Sequence, residues 1–115
     1  MINELISKTF ADRNAAHLEH WATRSYAAHQ ALGAFYDGLI DAVDVLVEAY
    51  QGHMGPVGSV SSESVEFSIE NLQDTADWIE VNRKEIAGDS DAVANLVDAV
   101  TAIYLTTIYK LKTFK

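Results

Sequence analysis

Apolar residues recur at three- and four-residue steps along most of this chain, the period of an amphipathic α-helix. In the second such stretch, Leu32, Phe35, Tyr36, Leu39, Val43, Leu46 and Tyr50 keep that step. The pattern predicts four helices. The first runs from about Asn3 to Thr23, with Asn3 as a candidate N-cap. The second runs from about Ser25 to Gln51, and Gly52 stands where a C′ glycine belongs. The third covers about Val65 to Ala87, with Val65, Ile69, Leu72, Ala76, Ile79 and Ile86 inward, and Gly88 closes it. The fourth opens after Asp89 or Ser90, both good caps, and continues to about Lys112.

The links set the topology. One or two residues separate the first helix from the second, and the third from the fourth, so each pair is an antiparallel hairpin. The middle link, Gly52 to Ser64, holds the only proline, Pro56, among glycines and serines. At about 3.3 Å per residue it reaches roughly 43 Å, against roughly 39 Å for the second helix. That is enough for one full-length crossover. The expected fold is therefore an all-α, ferritin-like four-helix bundle with a long crossover between helices two and three, in a single domain covering residues 1–115.

Composition narrows the function classes. The chain has 115 residues and no cysteine, which removes disulfides and thiolate metal sites. Lys and Arg number 8 and Asp and Glu 17, for a formal charge of −9, so binding of nucleic acid through a basic face is not expected. No apolar run approaches the roughly 18 residues of a membrane span, and Met1-Ile2-Asn3-Glu4 does not open like a secretory signal. The expectation is a cytoplasmic protein. There is no glycine-rich phosphate loop and no Ser–His–acid constellation.

Some polar positions do not fit a plain core. On the second helix His29, Asp44 and Glu48 form a stripe roughly 110° from the centre of the apolar one, at about 100° per residue. Asp44 and Glu48 are four apart, so their carboxylates are neighbours that repel unless a cation or proton lies between them. On the first helix His17 and His20 fall inside the apolar arc and need partners. Imidazole nitrogen with carboxylate oxygen is ligand chemistry for iron, zinc or manganese. Yet His29 and Asp44 lie about 22 Å apart along one helix and cannot share an ion within one chain. A second copy of the helix, antiparallel across a two-fold axis, would bring His29 of one chain to Asp44 and Glu48 of the other.

The segment His17-Leu18-Glu19-His20-Trp21, followed by His29, Leu32, Tyr36-Asp37, Asp44, Glu48 and Gln51-Gly52, resembles the Dps-like miniferritins of the ferritin superfamily. The likeness is strongest over residues 14 to 52 and closest to short, phage-borne relatives with a trimmed middle loop. It implies a ferroxidase centre built from His20 and His29 of one subunit and Asp44 and Glu48 of its two-fold mate, with His17 and Asp37 as auxiliary residues. Trp21 would pack beside the metal. It further implies oxidation of Fe(II) by peroxide or dioxygen, zinc or manganese as substitute ions, and storage of ferric mineral in a twelve-subunit shell. The chain departs from the family at Gly33, where a further carboxylate is common, and in a middle link too short for an extra helix. Gly33 sustains an alternative from another class: a non-catalytic helical-bundle structural or interaction protein, viral in origin, that keeps a degenerate metal site.

Overall fold

A computed structural model describes residues 1–115. Four helices fill it: α1 (Ile2–Ala22), α2 (Tyr26–Met54), α3 (Ile69–Ala87) and α4 (Asp91–Thr113). α1 packs on α2 and α3, and α4 packs on α2 and α3's other side, so the bundle order is 1-2-4-3. α2 and α3 sit on a diagonal and run in the same direction. This is the four-helix bundle with one long crossover that the link lengths predict.

The crossover is Gly55–Ser68. At about 3.3 Å per residue it spans roughly 46 Å, enough for the 43 Å long axis of the bundle. Its course follows α1. The Asn3 side-chain amide donates to the Val57 carbonyl at one end, Val60–Ser62 lie beside Ile6 and Phe10, and Phe67 reaches Glu19 and Ser25 at the other.

Helix ends follow capping chemistry. The Ser25, Ser68 and Ser90 hydroxyls accept from the backbone N–H groups of Ala28, Asn71 and Val93 at 3.1, 3.0 and 3.1 Å. Three boundaries differ from expectation. α1 begins at Ile2 with Met1 in the cap position, and Asn3 is inside the helix. α2 passes through Gly52 and stops at Met54, because Gly55 takes φ 109° and Pro56 follows it. α3 begins four residues later than Val65, since Ser68 supplies the cap and Val65–Phe67 stay outside the helix.

The core is one cluster. Leu5, Ala16, Leu32, Phe35, Leu39, Leu46, Leu72, Ile79, Val97, Val100 and Tyr104 are among its fully buried members. Each such Leu, Ile or Phe contributes about 1.5–3 kcal/mol through burial. Phe35 of α2 meets Tyr104 of α4 edge to face at 5.1 Å between centroids. α4 alone is long and apolar enough to resemble a membrane span, with mean hydropathy 1.4 over its most apolar window. Its apolar residues Val93, Val97, Val100 and Ile108 are instead buried against the rest of the bundle.

A polar node crosses this core. Asp12 of α1 is 2% exposed. Its Oδ2 accepts the Tyr104 hydroxyl at 2.7 Å and its Oδ1 accepts the Asn71 amide at 2.6 Å, tying α1 to α4 and α3. Burial pushes the Asp12 carboxyl above its ordinary value, although hydrogen bonds from Tyr104, Thr75 and Asn71 and the charge of Lys8 pull the other way.

Candidate metal site on the first hairpin

α1 and α2 join through Thr23–Ser25, and this tight turn brings the end of α1 against the start of α2. The His20 and His29 rings stack there, with centroids 3.7 Å apart and planes within 14°. Each ring donates from Nδ1 to the other residue's backbone carbonyl: His20 to His29 O at 2.6 Å, His29 to His20 O at 2.8 Å. A carbonyl only accepts, so both Nδ1 atoms carry protons. In the neutral ring the lone pair then lies on Nε2, and the two side chains are fixed in the tautomer a metal ligand needs.

The surroundings hold this pair in place. Gly33 lies directly under His20: a Cβ there would stand 3.1 Å from Cε1 and 3.3 Å from Nδ1 of the ring. The absence of a side chain at Gly33 therefore gives the His20 ring its seat, and a carboxylate in that position would displace it. His17 stacks on Tyr36 at 3.8 Å and 12°, and the Arg13 guanidinium lies 5.4 Å from the centre of the Tyr36 ring. Desolvation, then the charges of Arg13 and His20, hold the His17 imidazole below its ordinary pKa. Both histidines of α1 are half-buried at the hairpin's edge, outside the bundle core. Trp21 touches His17 at 4.5 Å between centroids but is 68% exposed, and Tyr26 beside His29 is 73% exposed.

The acidic residues of the predicted site lie further along the same hairpin. Asp37, Asp44 and Glu48 are exposed on α2. Asp41 and Asp44 border a groove of about 210 Å³ between α1 and α2, whose apolar lining is Ile6, Phe10, Ile40, Val43 and Val47. Within one chain no three His, Asp or Glu side chains converge in a way that could hold an ion. The imidazole pair and the carboxylate pair are thus apart within one chain, as the 15-residue offset of His29 and Asp44 along one helix demands. A sequence reading would miss Gly33, Tyr36 and Arg13 as supports, because each acts across the hairpin. His53 falls within the link predicted to begin at Gly52 but is in the last turn of α2, and it bonds Asp89 through Nε2 at 3.0 Å.

A family of unknown function, DUF5856, matches residues 20–111. The chain belongs to that family. The matched DUF5856 span includes His20, His29, Gly33, Asp44 and Glu48, and His17 lies before it. No curated protein and no solved structure matches the chain.

Proposed function

We propose that this protein binds and oxidises Fe(II), in the manner of the Dps-like miniferritins, at a site shared by two copies of the chain. His20 and His29 of one copy and Asp44 and Glu48 of the other are the ligands. Iron is the substrate. The observation that carries the reading is the His20–His29 pair, whose Nδ1 protons are committed to backbone carbonyls and whose Nε2 lone pairs are left for an ion.

The stacking also bears on how many ions are held. An imidazole lone pair lies in its own ring plane. Rings stacked within 14° of parallel, with centroids 3.7 Å apart, do not point their lone pairs at one ion about 2.1 Å from each nitrogen. Each imidazole would therefore serve its own ion, and Asp44 and Glu48 of the mate would supply the carboxylate oxygens. A pair of ions able to give up electrons together suits reduction of peroxide to water, and carboxylate ligands favour the ferric product.

Rapid-mixing absorbance of the ferric product tests this. Replacing Asp44 and Glu48 together with Ala, or His20 and His29 together with Ala, should abolish protein-dependent oxidation. Rates equal to those of the parent would refute the assignment.

A second reading, a non-catalytic bundle that keeps a metal-site pattern without turnover, draws on Gly33. That position supplies no ligand, and its bare backbone is used to seat His20. Tightly held ions with no oxidation would favour it.

A further inference from the structure

The outer face of the first hairpin carries two features that a single chain leaves without partners. Trp21 and Tyr26 project from one end, 68% and 73% exposed. The apolar groove of Ile6, Phe10, Ile40, Val43 and Val47 opens at the other. We propose that Trp21 and Tyr26 of one copy dock into this groove of a second copy, and that a divalent cation is needed to hold the two together. The proposal rests on the shared-site reading above and adds to it what assembles the pair and what controls the assembly.

The register supports the docking. A two-fold axis that lies in the interface, perpendicular to the helices, and brings His29 opposite Asp44 must pass beside Tyr36 and Asp37, the midpoint of that interval. The same operation sets Tyr26 opposite Val47. Trp21 follows His20, which touches His29 and Gly33, so the indole comes to the level of Ile40 and Asp44. Projecting rings thus meet an apolar hollow by the same operation that joins imidazoles to carboxylates. Two independent pairs of features share one axis.

The charges explain the cation. Asp37, Asp41, Asp44 and Glu48 all lie on this face of α2. The ion pairs of the chain are Met1–Glu4, His53–Asp89 and Arg83–Asp98, so none of the four is neutralised within its own chain. On pairing, Asp37 meets its own copy at the axis, and the neighbouring Asp44 and Glu48 are brought against the mate with water excluded, where like charges repel strongly. Ions held between His20, His29, Asp44 and Glu48 offset that repulsion, and binding only to the paired form drives pairing by mass action.

The test is sedimentation of the full chain with EDTA or with Mn(II), which occupies such ligands without being oxidised by air at neutral pH, alongside Mn(II) binding read by electron paramagnetic resonance. The expected result is a monomer in EDTA, a doubled mass with Mn(II), and dimer affinity weakened at least about tenfold by Trp21→Ser or Phe10→Lys. Both residues are exposed, and circular dichroism checks that the variants fold. A dimer that persists in EDTA, or one indifferent to both substitutions, overturns the proposal. Mn(II) bound with no change in mass also overturns it. Fe(II) oxidation by a species that stays monomeric would sink the coupling and the shared site together, whereas a Mn(II)-dependent dimer without oxidation would sink only the ferroxidase reading.

Discussion

Replacing Asp12 probes the polar node at the centre of the bundle. In Asp12→Leu the Tyr104 hydroxyl and the Asn71 amide both lose their acceptor inside a core where Tyr104 is fully buried. Each orphaned donor costs about 1–3 kcal/mol, so the variant should lose about 2–6 kcal/mol, a large share of the 5–15 kcal/mol typical of a domain. Asp12→Asn keeps the network. Its carbonyl oxygen accepts from Asn71, and its amide donates to the Tyr104 oxygen, since a phenol can accept as well as donate. It should remain within about 1 kcal/mol of the parent near neutral pH.

The two carboxyl forms then separate by pH. In the folded chain burial raises the Asp12 pKa above the ordinary 3.8, so the native state holds this proton more tightly than the unfolded chain. The stabilisation tied to that proton is complete below 3.8 and is lost as pH rises through the native value. Stability of Asp12→Asn minus that of the parent should therefore increase between about pH 4 and about pH 7, measured by urea unfolding followed by circular dichroism. A difference that is flat or falls over that window would refute the burial argument. An Asp12→Leu variant as stable as the parent would refute the network.

Two further substitutions test local structure. Gly33→Ala should fail to deliver the roughly 1 kcal/mol that alanine normally adds to a helix, because its methyl meets a ring pinned by a hydrogen bond and a stacked neighbour; His20 ring resonances should shift, and a full gain with unshifted resonances would contradict the packing. Ser90→Ala removes the acceptor for the Val93 N–H and should cost about 1 kcal/mol in thermal or urea unfolding, whereas unchanged midpoints would deny the cap any role.

The bundle was legible in the sequence because its determinants are local and periodic. Leu32, Phe35, Leu39, Val43 and Leu46 mark the buried face of α2, and all five are buried. The crossover followed from the length of one link. Boundaries were less legible where two signals compete. Gly52 and Gly55 both offer an end to α2, and Pro56 decides for the second. Val65 and Ile69 keep helical spacing, yet the Ser68 cap starts α3 after Val65. Asp12 lies about 20° from Leu5 around α1, on the face that Ile2, Leu5 and Ala16 bury, whereas the apolar arc read from the sequence extends to the other side of Leu5, toward His17. The site was legible as residue types at a spacing. Its inner geometry was not, because the His20–His29 stack depends on how the Thr23–Ser25 turn sets two helices side by side. The seat at Gly33 exists only once that turn is made.

The crossover divides the molecule into two hairpins with different duties. Every group assigned to iron or to pairing belongs to α1 and α2, while α3 and α4 meet them from behind through Leu72, Ile79, Val97, Val100 and Tyr104. The outward positions of the second hairpin, such as Val81, Leu105 and Tyr109, are therefore free to diversify under other pressures, including the recognition of other molecules, without disturbing the chemistry opposite. The rear half acts as a buttress, and the architecture leaves its outer surface available for invention.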